Sequence, residues 1–273
     1  MVRLSRKLYI AAFALLLAFS LCFLAGCGIG GSEAYVFAGS TSVQPYVEIL
    51  AEEYAILHPE TVIDVQGGGS SAGITAVESN TADIGMSSRH LKESEQDLWS
   101  VEITKDGLAI IVNPKNPVGN LTLEQLCDIY AGGIVNWRQL GGEDKKIHII
   151  AREEGSGTRS AFEELVMGER RISPRAIVQD SNGAVRQLVA DDPYSIGFIS
   201  LGLVDVGEKP VKALRIDGTE ASRDNIINGS YKLYRSFILV AKEEPSGPIL
   251  QFIDYIHSPE GRRILSDEGL IPE

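Results

Sequence analysis

An α/β fold is predicted by three features of this 273-residue chain. Short apolar segments of strand length alternate with segments whose apolar residues recur at helical spacing. Glycine and small hydroxyl residues follow several of the apolar segments, where a strand would lead into a helix. The 44% hydrophobic and 23% charged residues are ordinary for a globular protein with a sizeable core. Strand–helix alternation of this kind predicts a largely parallel sheet.

The N-terminus has the pattern of an export signal. A basic start is followed by the apolar run 8–24, and small residues then lead to Cys27, as in a bacterial lipobox. The run is short for a membrane span, so an uncleaved anchor is the less favoured alternative. We expect 1–26 to be a lipoprotein signal peptide, Cys27 to carry the lipid, and 27–33 to be a flexible tether. Either alternative holds the rest of the chain at the extracytoplasmic face of the cell membrane.

The charge and the cysteine count exclude several partners. The net charge is −12, and removal of 1–26, which holds basic but no acidic residues, makes it more negative. Nucleic acid and anionic lipid surfaces are therefore unfavourable partners. Cys22 leaves with the signal and Cys27 is lipidated, so Cys127 has no partner for a disulfide and is expected in the core. The four histidines are scattered without paired ligand spacing, so neither a metal nor a cofactor is expected.

The elements follow in order along the chain. The strand candidates are Tyr35–Ala38, Thr61–Val65, Gly107–Val112, Ile147–Ala151, Ala176–Gln179, Ile196–Ile199, Val211–Ile216 and Phe237–Ala241. Apolar residues at helical spacing predict amphipathic helices over Val43–Leu57 and Ile249–His257. A further helix is predicted to begin at Thr122, because Gln125 completes a capping box ahead of apolar residues.

Four strand-to-helix junctions share one chemistry. Each places glycine with hydroxyl or amide residues at a helix start: GSTS (39–42), GGGSSAG (67–73), REEGSGT (152–158) and DSNGAV (180–185). The first helical turn has free N–H groups and a positive dipole end, and glycine lets an anion approach the backbone. Ligands of α/β sheets bind at the carboxyl ends of the strands. Taken singly, each junction is equally an ordinary N-cap, but four of them with Arg152 predict an anion site.

The segments AGSTSVQPY, GGGSSAGI, ADIGMSSR, REEGSGTRSAF and SNGAV, with the ending SPEGRRILSDEGLIP, resemble the PstS family. Its members are the phosphate-binding lipoproteins of bacterial high-affinity phosphate importers. The resemblance covers nearly all of the chain after the signal. It implies a type II periplasmic-binding-protein-like fold, in which two α/β lobes are joined by two crossings with the anion in the cleft between them. Lobe I would be 34–107 plus 232–273 and lobe II 108–231, with crossings near Asp106 and Tyr231–Arg235.

The resemblance also implies an anion held by hydroxyls, backbone amides and one arginine. The matching positions are Thr41, the amide of Ser42, Ser70, Arg152, Ser156, the amide of Gly157, and Thr158. Glu154 falls where the family has an acidic residue that orients the arginine and offsets its charge.

One position departs from the family pattern. Ser88 stands where well-known members carry an aspartate that accepts the proton of hydrogen phosphate, and Arg89 beside it is a candidate second cation. A carboxylate only accepts hydrogen bonds and so repels sulfate, whereas a hydroxyl either donates or accepts. We expect Ser88 to contribute to phosphate binding with weaker rejection of sulfate.

The sequence thus predicts a monomeric, lipid-anchored receptor, not an enzyme, that delivers inorganic phosphate to the membrane permease of an ABC importer. Sulfate, molybdate or tungstate as the ligand, and an adhesin or sensor role, stay open. A serine hydrolase is the remaining alternative, because GSSAG (69–73) matches G-x-S-x-G with Ser71 as the nucleophile. Asp254 and His257 are the only late acid–histidine pair and lie three residues apart on one predicted helix. That spacing disfavours a triad with Ser71.

Overall fold

The computed structural model describes residues 33–272. The predictions for the signal peptide, Cys27 and all but the last residue of the tether lie outside these residues. Within the described range, helices and strands alternate along most of the chain. None of the helices in that range combines the length and apolar character needed to cross a membrane.

The secondary structure follows the predicted order. The strands are β1 (Glu33–Gly39), β2 (Thr61–Gly67), β3 (Ile84–Ser87), β4 (Trp99–Val112), β5 (Asn120–Leu121), β6 (His148–Arg152), β7 (Ile177–Gln179), β8 (Ser195–Ser200), β9 (Lys212–Ala213), β10 (Arg215–Ile216) and β11 (Tyr234–Ala241). The helices are α1 (Gln44–Leu57), α2 (Ser70–Glu78), α3 (Leu123–Ala131), α4 (Gly157–Phe162), α5 (Asn182–Asp191), α6 (Arg223–Ile227), α7 (Gly247–His257) and α8 (Pro259–Asp267). The capping box is confirmed, since Thr122 Oγ1 accepts from the Gln125 amide at 3.0 Å and the Gln125 side chain accepts from the Thr122 amide at 2.9 Å.

The sheet is mixed rather than largely parallel. Its strand order is β2-β1-β3-β11-β4-β8-β6-β7, with β9 also pairing with β4. The pairs β1–β3, β6–β8 and β6–β7 are parallel, as expected. β11 is antiparallel to both β3 and β4, and β8 is antiparallel to β4. The expectation of a largely parallel sheet was wrong at the centre of the sheet. There β4 pairs directly with β11 in antiparallel orientation, although the two strands are far apart in the chain.

The largest differences from the predicted strands of the main sheet are at β4 and β3. β4 begins at Trp99, eight residues before the predicted start at Gly107. Its first half contains polar residues and so lacks a continuous apolar run. β3 was not predicted at all, because the four residues of Ile84–Ser87 include a glycine and a serine, although all four are buried. β3 is buried on both faces of the sheet, so its residues do not show the apolar–polar alternation by which a strand is predicted.

The hydrophobic residues of 33–272 form separate clusters on the two ends of the sheet. One cluster packs β1, β3, β11, α1, α7 and α8, with the rings of Phe37 and Phe252 5.5 Å apart in an edge-to-face contact. Two further clusters lie around β4, β6 and β8, where Phe162 and Phe198 stack at 4.2 Å. Cys127 is a free thiol buried in one of these clusters, as expected. Each end of the sheet therefore has its own core.

The four glycine- and hydroxyl-rich junctions lie between the two halves of the sheet. β1, β2 and β3 end at one side of this region, and β6, β7 and β8 end at the other. Glycine permits the close packing: a Cβ at Gly73 in α2 would lie 2.3 Å from the carbonyl oxygen of Ala38 in β1. Gly39 has φ +142°, and a Cβ there would lie 2.2 Å from the Met86 carbonyl oxygen. The contact at Gly73 holds the start of α2 against the end of β1, and the contact at Gly39 holds β1 against β3.

Candidate anion-binding site

A cluster of buried polar side chains lies between the two halves of the sheet. Ser42, Ser70 and Ser88 are fully buried, and Arg152 and Thr158 are each only 1% exposed. Segments far apart in the chain meet there, since Ser42 Oγ lies 2.8 Å from Thr158 Oγ1. The backbone also closes the region, because the Ser71 amide donates to the Gly155 carbonyl at 3.1 Å. Burial of so many polar groups requires that each finds a partner or serves a ligand.

Arg152 is the cation of this cluster. It ends β6, and its Nε and Nη2 donate to the Glu153 carboxylate at 2.9 and 3.0 Å. Nη2 also donates to Thr41 Oγ1 at 3.2 Å and to the Asp180 carbonyl at 3.1 Å. Nη1 is buried and has no hydrogen-bond partner among residues 33–272. A buried charged donor without a partner is costly, so Nη1 is suited to an anionic ligand.

The acidic partner of Arg152 is Glu153, not Glu154. The Glu154 side chain is 93% exposed, and its ion pair is with Arg159, at 4.0 Å. The assignment of Glu154 as the orienting carboxylate was wrong by one residue, because the chain turns directly after Glu153, where the Ser156 amide donates to the Glu153 carbonyl at 3.3 Å, and Glu154 lies in this turn with its side chain in solvent. The proposed role itself holds for Glu153, whose two oxygens take the guanidinium in a bidentate pair.

The hydroxyl of Ser42 has a defined direction. Its oxygen accepts from Asn182 Nδ2 at 2.8 Å and from Arg235 Nη2 at 3.1 Å. With both acceptor positions taken, the Ser42 proton is donated to Thr158 Oγ1. The proton of Thr158 is then available to a ligand. The Ser42 amide, which was expected to face the anion, instead donates to Ser40 Oγ at 3.2 Å.

Three further hydroxyls line the same region. Ser40 Oγ donates to Ser88 Oγ at 2.8 Å, and Ser70 Oγ accepts from the Ser88 amide at 3.1 Å. Ser70 and Ser88 thus lie together, as expected for two ligand-facing residues. Ser40 was not predicted, although it belongs to the same GSTS junction as Thr41 and Ser42. The motif marked the turn, and only the structure shows which of its hydroxyls point inward.

The start of α4 contributes backbone amides. Ser156 is its N-cap, and its hydroxyl accepts from the Arg159 amide at 3.3 Å, so its own proton is free to be donated. The amides of Gly157 and Thr158 lie in the first turn, where an N–H has no acceptor within the helix. A Cβ at Gly157 would lie 2.2 Å from Ser70 Oγ and 2.5 Å from Ser88 Oγ. The helix start and the opposing serines are therefore in contact.

Arg89 is not the second cation of the cluster. Its guanidinium is held by Glu95 at 2.7 and 2.9 Å and also donates to Ser71 Oγ at 3.2 Å. The hydrogen bonds from Arg89 hold the pKa of the Glu95 carboxyl below its ordinary value, against a smaller opposing effect of burial. Arg89 thus supports the loop next to Ser70, and its charge is neutralised outside the hydroxyl cluster.

The second cation in contact with this cluster is Arg235, which the sequence prediction missed. Its Nη2 lies 3.0 Å from Asp106 Oδ2, and Ser200 Oγ donates to Asp106 Oδ1 at 2.8 Å. Burial raises the pKa of Asp106 and lowers that of Arg235, and the attraction between the two groups offsets both shifts. The sequence did contain one sign of this ion pair, because Asp106 and Arg235 have opposite charges and each lies beside a predicted crossing. Asn182 was also missed, although it lies within the quoted SNGAV segment.

The hydrolase residues do not assemble. Ser71 Oγ accepts from Arg89, and within 33–272 no hydrogen bond joins it to a histidine. Asp254 and His257 lie on α7, whose apolar face packs in the hydrophobic cluster around β1, β3 and β11. The described residues also contain no group of three or more His, Cys, Asp or Glu side chains arranged to hold a metal.

A two-core α/β fold with a closed polar site between the cores is the architecture of solute-binding proteins. The model of the PBP superfamily domain matches residues 30–260. PstS of Bacillus subtilis, a phosphate-binding protein, is 31% identical over 246 residues, covering 88% of this chain and 81% of the relative. PstS of Borreliella burgdorferi is 31% identical over 244 residues, covering 85% and 88%. This chain belongs to the PstS family of phosphate-binding proteins.

Solved structures show the same similarity. A protein of Clostridium perfringens, described as a phosphate ABC transporter substrate-binding protein and crystallised with bound phosphate, superposes with a TM-score of 0.84 at 40% identity. The alignment covers 88% of this chain and all of that one. An ABC-type phosphate transport receptor of Vibrio cholerae gives a TM-score of 0.73, also at 40% identity and with the same coverage.

Proposed function

We propose that this protein captures inorganic phosphate outside the cytoplasm and delivers it to the membrane permease of an ABC importer. The observation that carries the proposal is the buried Nη1 of Arg152, which lacks a partner within 33–272, while Nη2 of the same guanidinium contacts the Thr41 hydroxyl at 3.2 Å. A tetrahedral oxyanion offers several acceptors at once, so it can satisfy Nη1, the Thr158 hydroxyl and the α4 amides together. The relatives named above are themselves phosphate-binding proteins.

We further propose that the two cores belong to lobes that close around the anion. Lobe I would be 34–107 plus 232–273 and lobe II 108–231, as the sequence predicts, with the crossings at Asp106 and near Arg235. The separate hydrophobic clusters support this division. Donors from both sides meet only when the cleft is closed, so the ligand stabilises the closed form by its higher affinity for it. The protein is proposed to act as a monomer without a cofactor and without enzymatic activity.

Phosphate binding is tested by melting the purified protein with a panel of anions. At a phosphate concentration 100 times Kd, the native state gains about 2.7 kcal/mol. For a domain of this size we expect Tm to rise by about 5–10 °C. Arsenate, sulfate, molybdate and tungstate complete the panel and distinguish the alternative ligands. A protein whose Tm responds to none of these anions would contradict the proposal, and an esterase assay with Ser71→Ala as the control tests the hydrolase alternative.

Ser88 is proposed to set the selectivity between phosphate and sulfate. Its hydroxyl contacts Ser40 and Ser70, so no carboxylate is present at this position to repel a fully ionised anion. We expect sulfate to compete with phosphate measurably better than it does in members of the family that carry aspartate. Competition calorimetry on both proteins measures the ratio. Equal exclusion of sulfate would show that another group provides the discrimination.

Lipid anchoring at Cys27 is proposed from the signal-like sequence alone. We expect Cys27 to be the first residue of the mature protein and to carry the lipid that holds the protein at the cell membrane. Mass spectrometry of the protein purified from membranes should find the modified Cys27, and Cys27→Ala should abolish the modification and the membrane association. Residue Cys127 serves as the internal control, because it is buried and should stay unmodified. An unmodified Cys27 in membrane-purified protein would overturn the proposal.

A further inference from the structure

We propose that Arg235 is a positioning residue of the anion site, which fixes the Ser42 hydroxyl as a donor to Thr158 and links it to Asp106. This inference rests on the proposed function, since it assigns a role within the same site. The sequence prediction placed Arg152 there with Arg89 as a candidate second cation, and the family resemblance put only a crossing, and no site residue, in the segment around Arg235. The structure supplies the contacts.

The position of Arg235 is set by strand pairing. Arg235 in β11 lies directly opposite Asp106 in the antiparallel pair with β4. Neighbouring side chains on one face of such a pair are within contact distance. Nε and Nη2 of Arg235 donate to Asp106 Oδ2 at 3.3 and 3.0 Å, and the guanidinium lies 5.4 Å from the ring centre of Phe237. The guanidinium is thus held at the point where β11 and β4 pass between the two cores.

From this position Arg235 reaches Ser42. Its Nη2 donates to Ser42 Oγ at 3.1 Å, and Asn182 donates to the same oxygen at 2.8 Å. A hydroxyl oxygen has two acceptor lone pairs, so these two donors leave only the Ser42 proton for Thr158. Without Arg235, one lone pair of Ser42 is free to accept from Thr158. The Thr158 proton would then turn toward Ser42 and away from a ligand.

The charges around Arg235 suit an anion. Arg235 and Arg152 repel each other, which contributes to lowering the pKa of Arg235 after burial itself. Each guanidinium has its own carboxylate, Asp106 for Arg235 and Glu153 for Arg152. Nη1 of both arginines is buried without a partner in the described part of the chain. The two ion pairs give a site of no net charge that still contains two guanidinium groups with unused donors.

A double-mutant cycle with inorganic phosphate tests the role. Removing Arg235 alone would leave the Asp106 charge buried and unpaired, which risks unfolding. The variant Arg235→Met/Asp106→Asn removes both charges together and avoids this. We expect calorimetry to show about tenfold weaker phosphate binding, the effect of one misdirected hydrogen bond. Combined with Ser42→Ala, the double variant should weaken binding no further than Ser42→Ala alone, because Arg235 acts through Ser42.

Arg235→Lys provides the conservative comparison. It keeps the charge beside Asp106 but loses the forked geometry, so its affinity should lie between those of the wild type and the double variant. Melting without phosphate reports folding of each variant, and Arg138→Met, an exposed site, is the control. Wild-type affinity in both Arg235 variants, or a loss that multiplies with that of Ser42→Ala, would overturn the inference. Failure of the wild type itself to bind phosphate would instead overturn the proposed function and the inference with it.

Discussion

Replacement of Arg152 by methionine is expected to weaken phosphate binding by at least about 30-fold. Truncating one partner of a buried, hydrogen-bonded charge pair costs about 2 kcal/mol or more, which corresponds to this factor. Two effects act together in Arg152→Met. The unpartnered Nη1 donor is lost, and the Glu153 carboxylate stays beside the anion without its counter-charge. Titration calorimetry with phosphate measures the change directly.

Two controls separate loss of the site from loss of the fold. Arg138→Met removes an arginine whose side chain is 73% exposed and paired with Asp144 at the surface, so its phosphate affinity should equal that of the wild type. Arg152→Lys keeps the charge but cannot form the bidentate contact with Glu153, so an intermediate affinity is expected. The expected loss of affinity is far larger than about threefold. If folded Arg152→Met bound phosphate with an affinity within about threefold of the wild type, Arg152 would not be the anion-binding cation.

The sequence predicted the ligand-facing turns better than the sheet. Glycine and serine at a helix start report a local backbone geometry, and local geometry is read from adjacent residues. The positions of Ser70 and Thr158 in one buried cluster agree with that prediction, and Ser88, which only the family resemblance indicated, lies with them. The antiparallel pairing of β11 with β4 joins segments more than a hundred residues apart, and no local pattern specifies it.

The errors within the site have the same origin. The choice between Glu153 and Glu154 depends on which way the chain turns after β6, which two adjacent acidic residues do not reveal. Arg235 was missed because its role depends on Asp106, a partner brought opposite by strand register rather than by spacing in the sequence. Such a partner stabilises a buried cation, and the opposite charges beside the predicted crossings gave only an indirect sign of the ion pair until the strand pairing was known.

Gly157→Ala is expected to weaken phosphate binding by about 5- to 150-fold without destabilising the unliganded protein. The new Cβ would lie 2.2 Å from Ser70 Oγ, 2.5 Å from Ser88 Oγ and 3.0 Å from the Ser88 carbonyl carbon. Overpacking of this kind costs about 1–3 kcal/mol. The contacts form between the two proposed lobes, so the cost applies to the closed state. In the open state the added methyl group would not meet these serines, so the unliganded protein should keep its stability.

Gly183→Ala in the first turn of α5 is the matched control, because within 33–272 the added Cβ would have no atom within 4 Å apart from its chain neighbours and its own helix backbone. It carries the same chemical change at another helix start and should bind phosphate as the wild type does. Solution scattering adds a second measurement: phosphate should compact the wild type and Gly183→Ala but leave Gly157→Ala extended. If Gly157→Ala bound phosphate normally and compacted with it, the start of α4 would not approach Ser70 and Ser88 in the liganded protein. The proposal that the two lobes close at this contact would then be wrong, even if Arg152 still bound the anion.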